Sequence, residues 1–233
     1  MQRLTTVINL CLIVLVAVAV GCSVASSSST SGVDIRDLAP TPNLETASSR
    51  AAGLKTAVFA GGCFWGVEAV FEHVKGVTDV KSGYSGGDSK SANYDDVSDG
   101  RTLHAEAVFV TYDPTRVTYV QLLTVFFSVA HDPTEVNRQG PDVGPQYRSA
   151  IFYANDEQRK SANDYIEAIN KAKVFSKPTA TQLVALDKFY DAEDYHQDYM
   201  KKNPNQPYIV HHDRPKLAAL KEKFPDLYIE KKN

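Results

Sequence analysis

Cysteine is scarce in this chain, and that scarcity excludes a class of fold. Three occur in 233 residues: Cys11, Cys22 and Cys63. The first two lie in a leader-like stretch, so the body of the chain holds one thiol and no internal disulfide. A disulfide-stapled extracellular scaffold is excluded. Tryptophan is scarcer still, with Trp65 alone. No run of lysine and arginine stands out against a net charge of −3, so no nucleic-acid partner is expected. Lys221, Lys223, Lys231 and Lys232 are interleaved with acids and read as a solvated face. After residue 20 no apolar segment is long enough to span a bilayer. The whole chain is 43% hydrophobic and 23% charged, an ordinary globular balance, enough for one domain of roughly 150–180 residues with a substantial core.

The one long apolar stretch is residues 7–20, preceded by Arg3 and interrupted by Asn9. Its length and pattern are those of a signal peptide. Ala19-Val20-Gly21-Cys22 resembles the bacterial lipoprotein box, in which the cysteine is lipidated and becomes the first mature residue. Ala19 stands where leucine is usual, so an ordinary secretory signal or an uncleaved anchor is the alternative. Residues 23–50 are rich in Ser, Thr, Pro and Ala and bury too little to order themselves. The expected organisation is a lipoprotein-type signal (1–21), a flexible tether (22–53), a catalytic domain (54–210) and a C-terminal extension (211–233). The expected location is the bacterial cell envelope, lipid-anchored through Cys22 and facing the periplasm.

The body is organised around Ala60-Gly61-Gly62-Cys63-Phe64-Trp65-Gly66. Residues 57–60 read as the end of a buried strand. Phe64, Val67, Phe71 and Val74 fall on one helical face. Two glycines permit a sharp strand-to-helix turn, which puts Cys63 at a helix N-terminus, where exposed N–H groups and the macrodipole favour thiolate. A buried, inert cysteine is the bland alternative.

Downstream, strands are predicted at 55–60, 77–84, 104–112, 148–153 and 179–186. Helices are predicted at 64–75, 119–130 and from about 156 to 172, with a short one at 216–223. Thr118-x-x-Gln121 is a capping box. The order β-α-β-β-α-β is that of a ferredoxin-like split βαβ unit with additional elements, so the expected fold class is α+β, a two-layer sandwich. Two long polar connections, 89–102 and 131–146, are of the kind that carries function. Glu106 shares a strand face with His104, Val108 and Val110, where an acid must be paired or neutral. A neutral carboxylic acid is what a proton donor needs to be; a solvated strand-face Glu is the alternative. Residues 140–149 form a turn-rich loop delivering Asp142 and Tyr147. His211-His212, with no third ligand, is a weak metal signal, and no metal or bound cofactor is expected.

These segments together are similar to the type A peptide methionine sulfoxide reductases. Gly61-Gly62-Cys63-Phe64-Trp65-Gly66-Val67-Glu68 matches their GCFWG signature. The agreement runs on through Gly83-Tyr84-Ser85-Gly86-Gly87, Asn93-Tyr94-Asp95-Asp96-Val97 and His104-Ala105-Glu106-Ala107-Val108. It continues through 131–134, 137–140, 142–149 and 192–197, colinear over about residues 55–207. The resemblance implies an α+β fold with a ferredoxin-like core. It implies reduction of the S epimer of methionine sulfoxide, free or in oxidised proteins, in a monomer. Cys63 would attack the sulfoxide sulfur, Glu106 would protonate the oxygen, and Tyr94 and Tyr147 would hold it. Asp142 would line the site, and Phe64 and Trp65 would enclose the substrate methyl. Tyr195 and His196 match the pattern without an assigned step.

Many relatives carry a resolving cysteine in a Gly-rich tail, whereas residues 203–221 contain none. A sulfenic acid on Cys63 would therefore be recycled by an external thiol: glutathione, or a thioredoxin- or glutaredoxin-like protein. Two rivals are a different thiol enzyme and a non-enzymatic envelope lipoprotein. Acyl transfer would want a histidine base on Cys63, and no such pairing is identifiable; an unreactive thiol would favour the second.

Overall fold

Strand β1 (Lys55–Gly61) is buried on both faces along most of its length, which its near-continuous apolar sequence requires. It belongs to a computed structural model that describes residues 34–35 and 53–231. The expected signal, the lipidation residue Cys22 and nearly all of the tether lie outside the described residues.

Helix α1 (Phe64–Glu72) follows β1 directly, then come β2 (Val77–Ser85), α2 (Tyr94–Ser98), β3 (Ala105–Tyr112) and α3 (Tyr119–Val125). After them come the two-residue strands β4 (Arg138–Gln139) and β5 (Asp142–Val143), then β6 (Ser149–Tyr153) and α4 (Asp156–Lys171). The chain ends with β7 (Gln182–Ala185), β8 (Phe189–Asp191), α5 (Tyr199–Lys202) and α6 (Arg214–Lys223). Six strands form one sheet in the order β7-β6-β1-β3-β2-β8, and β4 and β5 pair separately. Within the large sheet only β6 and β7 run parallel. The architecture is α+β.

The two faces of β1 serve different clusters. Phe59 points into the main core with Val67 and Phe71 of α1, Leu122 of α3, Tyr165 of α4 and Leu220 of α6. Val58 and Ala60 point the other way, into a small cluster with Ala105, Ala107 and Phe152. Phe59 is fully buried, stacked on Phe71 at 5.1 Å and on Phe126 at 5.0 Å. Truncating such a ring to alanine costs about 3–5 kcal/mol.

Several elements differ from the sequence expectation. α1 stops at Glu72 rather than residue 75, and Gly76 takes a left-handed φ of 99° in the turn to β2. α3 is capped reciprocally by Thr118 and Gln121, as the motif predicts, but its expected last turn widens into a π-helix, Phe126–Ala130. There the His131 ring takes the Phe126 carbonyl at 3.0 Å across five residues. The two connections expected to be irregular contain α2, capped by Asn93, and the β4–β5 hairpin followed by a 3-10 turn, Pro145–Tyr147. β8 is three residues long, too short to show alternation, yet it extends the sheet beyond β2. Toward the C-terminus a π-helix, Ile209–Asp213, leads into α6, which buries Leu220 in the main core. Among the described residues no helix is long and apolar enough to cross a membrane.

Candidate active site

The turn between β1 and α1 is held from outside. Gly62 has φ of 90°, and a side chain there would meet Gln139 of β4, with Cγ 2.5 Å from its Cβ. The small hairpin therefore lies close over the turn. Cys63 is the N-cap of α1, with φ −54° and ψ 125°, and is 7% exposed.

The next amide joins two distant parts of the chain. The Phe64 N–H donates to Glu106 Oε2 at 3.0 Å, so the carboxyl of β3 sits at the start of α1 beside the sulfur. Glu106 is 2% exposed. Burial raises its pKa to about 8, with Asp142 and Asp213 adding to the rise and the Phe64 hydrogen bond opposing it. At neutral pH the acid therefore carries its proton.

Aromatic rings form the walls. Phe64 is buried against Tyr84 at 5.9 Å and His196 at 5.0 Å. Trp65 donates its indole N–H to His196 Nδ1 at 3.0 Å and stacks on Tyr199 at 3.8 Å. Tyr208 meets Trp65 edge-on at 5.9 Å and donates its hydroxyl to Asp142 Oδ2. Tyr94 and Tyr147 both lie within the fields of Glu106 and Cys63. Burial, reinforced by Glu106, pushes Tyr94 to about 12 and raises Tyr147 as well. Both phenols are thus neutral hydrogen-bond donors. All seven residues singled out from the sequence for this site, Cys63, Phe64, Trp65, Tyr94, Glu106, Asp142 and Tyr147, are brought to one place.

Residues 55–228 match a family model described as peptide methionine sulfoxide reductase. The chain belongs to that family. A peptide methionine sulfoxide reductase from Mesorhizobium japonicum is 56% identical over 181 residues, covering 78% of this chain and 93% of that one. One from Synechocystis is 51% identical, covering 80% of this chain and 87% of its own length. Among solved structures, methionine sulfoxide reductase A of Corynebacterium diphtheriae is 36% identical with a TM-score of 0.59, covering 69% of this chain and 79% of that one.

One electrostatic expectation is overturned in this reductase. The helix N-terminus was expected to draw Cys63 toward thiolate, but burial pushes the thiol well above its ordinary value, and Glu106 and Asp213 push it further. The Trp65 amide bonds the sulfur in the opposing direction and Lys216 helps, without winning. A helix-terminal dipole is worth at most about 2 kcal/mol, less than the desolvation of a charged sulfur.

Several residues of the reductase site were not assigned from the sequence. Glu193 accepts from the Tyr84 hydroxyl and the Tyr94 amide, each at 2.9 Å, and so pins α2 to β2. His131 donates from Nδ1 to the Phe126 carbonyl and accepts at Nε2 from Ser149 Oγ at 2.7 Å, directly behind Gly61. Burial lowers its pKa to about 4, which keeps it neutral. Tyr199, Tyr208, Asp213 and Lys216 come from a stretch without periodicity or motif. Glu193 and His196, inside the 192–197 match, and His131, inside the 131–134 match, carried a signal in the sequence.

Proposed function

We propose that this methionine sulfoxide reductase works through Cys63 as nucleophile and Glu106 as proton donor. The Phe64 N–H to Glu106 bond carries the reading, because it fixes a protonated carboxyl beside a thiol inside an aromatic pocket. Phe64 and Trp65 receive the methyl group, which sets the sulfoxide sulfur against Cys63. Glu106 protonates the oxygen as the new bond to sulfur forms, with Tyr94 and Tyr147 donating hydrogen bonds to it. Cys63 gives up its own proton, which restores the Glu106 acid. The substrate S–O bond and the transient bond between the two sulfurs then break as the hydroxyl passes to Cys63, leaving a sulfenic acid and releasing methionine; the substrate sulfur gains the two electrons that Cys63 loses. The handed pocket selects the S epimer. Asp142, bonded to Tyr208, lines the site.

Cys63 is the cysteine among the described residues, which supports recycling from outside. One external thiol attacks the sulfenic acid, releasing water and leaving a mixed disulfide; a second thiol restores Cys63. The reductant class is glutathione or a thioredoxin- or glutaredoxin-like protein. Without reductant, one methionine should form per enzyme and dimedone should label Cys63. Two methionines per enzyme in a variant with Cys22→Ala would rule the one-cysteine cycle out.

The strand order β6-β1-β3-β2, antiparallel throughout, supports a ferredoxin-like split βαβ core. The leader pattern supports export, lipidation of Cys22 and an envelope-anchored monomer facing the periplasm. Detergent-phase partitioning that Cys22→Ala abolishes is the expected result, and a wild-type chain found wholly in the cytoplasm overturns it.

A further inference from the structure

An ion pair lies against the first turn of α1, the helix that Cys63 caps, with no part in the chemistry above. Asp213 ends the π-helix and Lys216 follows in α6; Lys216 Nζ and Asp213 Oδ1 are 3.2 Å apart. The Asp213 side chain is fully buried and Lys216 mostly so. The pair sits on the first turn of α1. A Cβ added to Gly66 would run into Asp213 Oδ1 and lie 3.0 Å from Lys216 Nζ. The other carboxylate oxygen, Oδ2, is buried with no hydrogen-bond partner. A half-satisfied buried ion pair is seldom more stable than an apolar pair of the same volume, so stability alone does not account for it.

Resting on the reading of Cys63 as the reacting thiol, we infer that Asp213 and Lys216 are its positioning residues. Seated on Gly66, they hold the C-terminal turn against α1 and set the balance of charge that the sulfur meets.

The surroundings of the sulfur support this. Asp213 disfavours the charged sulfur and Lys216 favours it. Glu106, from β3, disfavours it too, while the Tyr94, Tyr147 and Tyr208 phenols face it as neutral groups. Asp213 itself faces Asp142 and His212, and Lys216 faces the neutral His131. Removing the acid or the base therefore moves the thiol in opposite directions. A loss of packing would move both variants the same way.

The test follows alkylation of Cys63 by iodoacetamide against pH in the full chain, with mass spectrometry to locate the adduct and a thermal melt beside it. Asp213→Asn should lower the midpoint by roughly one pH unit and Lys216→Gln should raise it comparably. Lys216→Arg should restore the wild-type profile. Midpoints that shift together, or stay fixed in variants that melt cooperatively, overturn the inference. If Asp213→Asn does not fold, the contrast between Lys216→Gln and Lys216→Arg decides alone. Alkylation needs no turnover, so its failure leaves the role of Cys63 standing. Sulfoxide reduction surviving Cys63→Ser would instead remove the reading beneath both.

Discussion

Replacing Glu106 with glutamine removes an ionisable group yet keeps an oxygen that can accept the Phe64 N–H, now at 3.0 Å. Activity and stability should then move in opposite directions. An amide cannot deliver a proton to the leaving oxygen, and general acid catalysis contributes roughly 10²–10⁴-fold, so methionine formation near pH 7 should fall by that factor. Stability follows from linkage. The folded-state pKa of Glu106 is about 8 against an ordinary 4.5. Below the lower value both states hold the proton and the carboxyl's contribution is fully present. As pH rises toward the upper value the unfolded chain releases the proton first, so wild-type stability declines. One pKa unit is worth about 1.4 kcal/mol. Between pH 5 and 8, with allowance for relaxation, Glu106→Gln should gain about 2–4 kcal/mol on the wild type. Glu68, raised to about 8 as well, remains in both proteins and cancels. Urea melts at the two pH values, beside a single-turnover assay for methionine, measure both effects. Full activity in the variant, or equal pH slopes in the two melts, would refute the reasoning.

Cys63→Ser should abolish methionine formation from the sulfoxide while leaving the melt nearly unchanged, since the exchange is close to isosteric; measurable turnover would exclude Cys63. Tyr94→Phe and Tyr147→Phe should each slow the reductive step by roughly 10², the usual cost of one lost oxyanion donor, with the protein still folded by circular dichroism. Gly66→Ala places a methyl against Asp213. It should destabilise by about 1–3 kcal/mol, the range for overpacking, with Asp213→Ala in the same chain recovering part of the loss in a denaturant melt.

What could be read from the sequence was what neighbouring residues encode together. The strand, double glycine, cysteine and helix of residues 55–72 announce themselves because period, turn chemistry and apolar face all lie within one short window. The Thr118–Gln121 cap is local in the same way. Asp213 against Gly66 is a contact between residues far apart in sequence, created by the packing of α6, and no local pattern marks it. The π-helix after Val125 depends on where the His131 ring lands. The charge state of Cys63 was misjudged for the same reason. Its helix terminus is visible in sequence, whereas the burial that outweighs it is supplied by β3, the hairpin and the C-terminal turn.

The enclosure of Cys63 also bears on what the enzyme refuses. Peroxide attacks thiolates rather than thiols, and this sulfur is both nearly inaccessible and held in its protonated form. A passing oxidant meets a poor target. A bound sulfoxide brings an oxygen that Glu106 can protonate, and with it a destination for the electrons of Cys63. Reactivity is thereby conditional on occupancy, so the enzyme can hold Cys63 reduced between substrates instead of losing it to the oxidants whose damage it repairs.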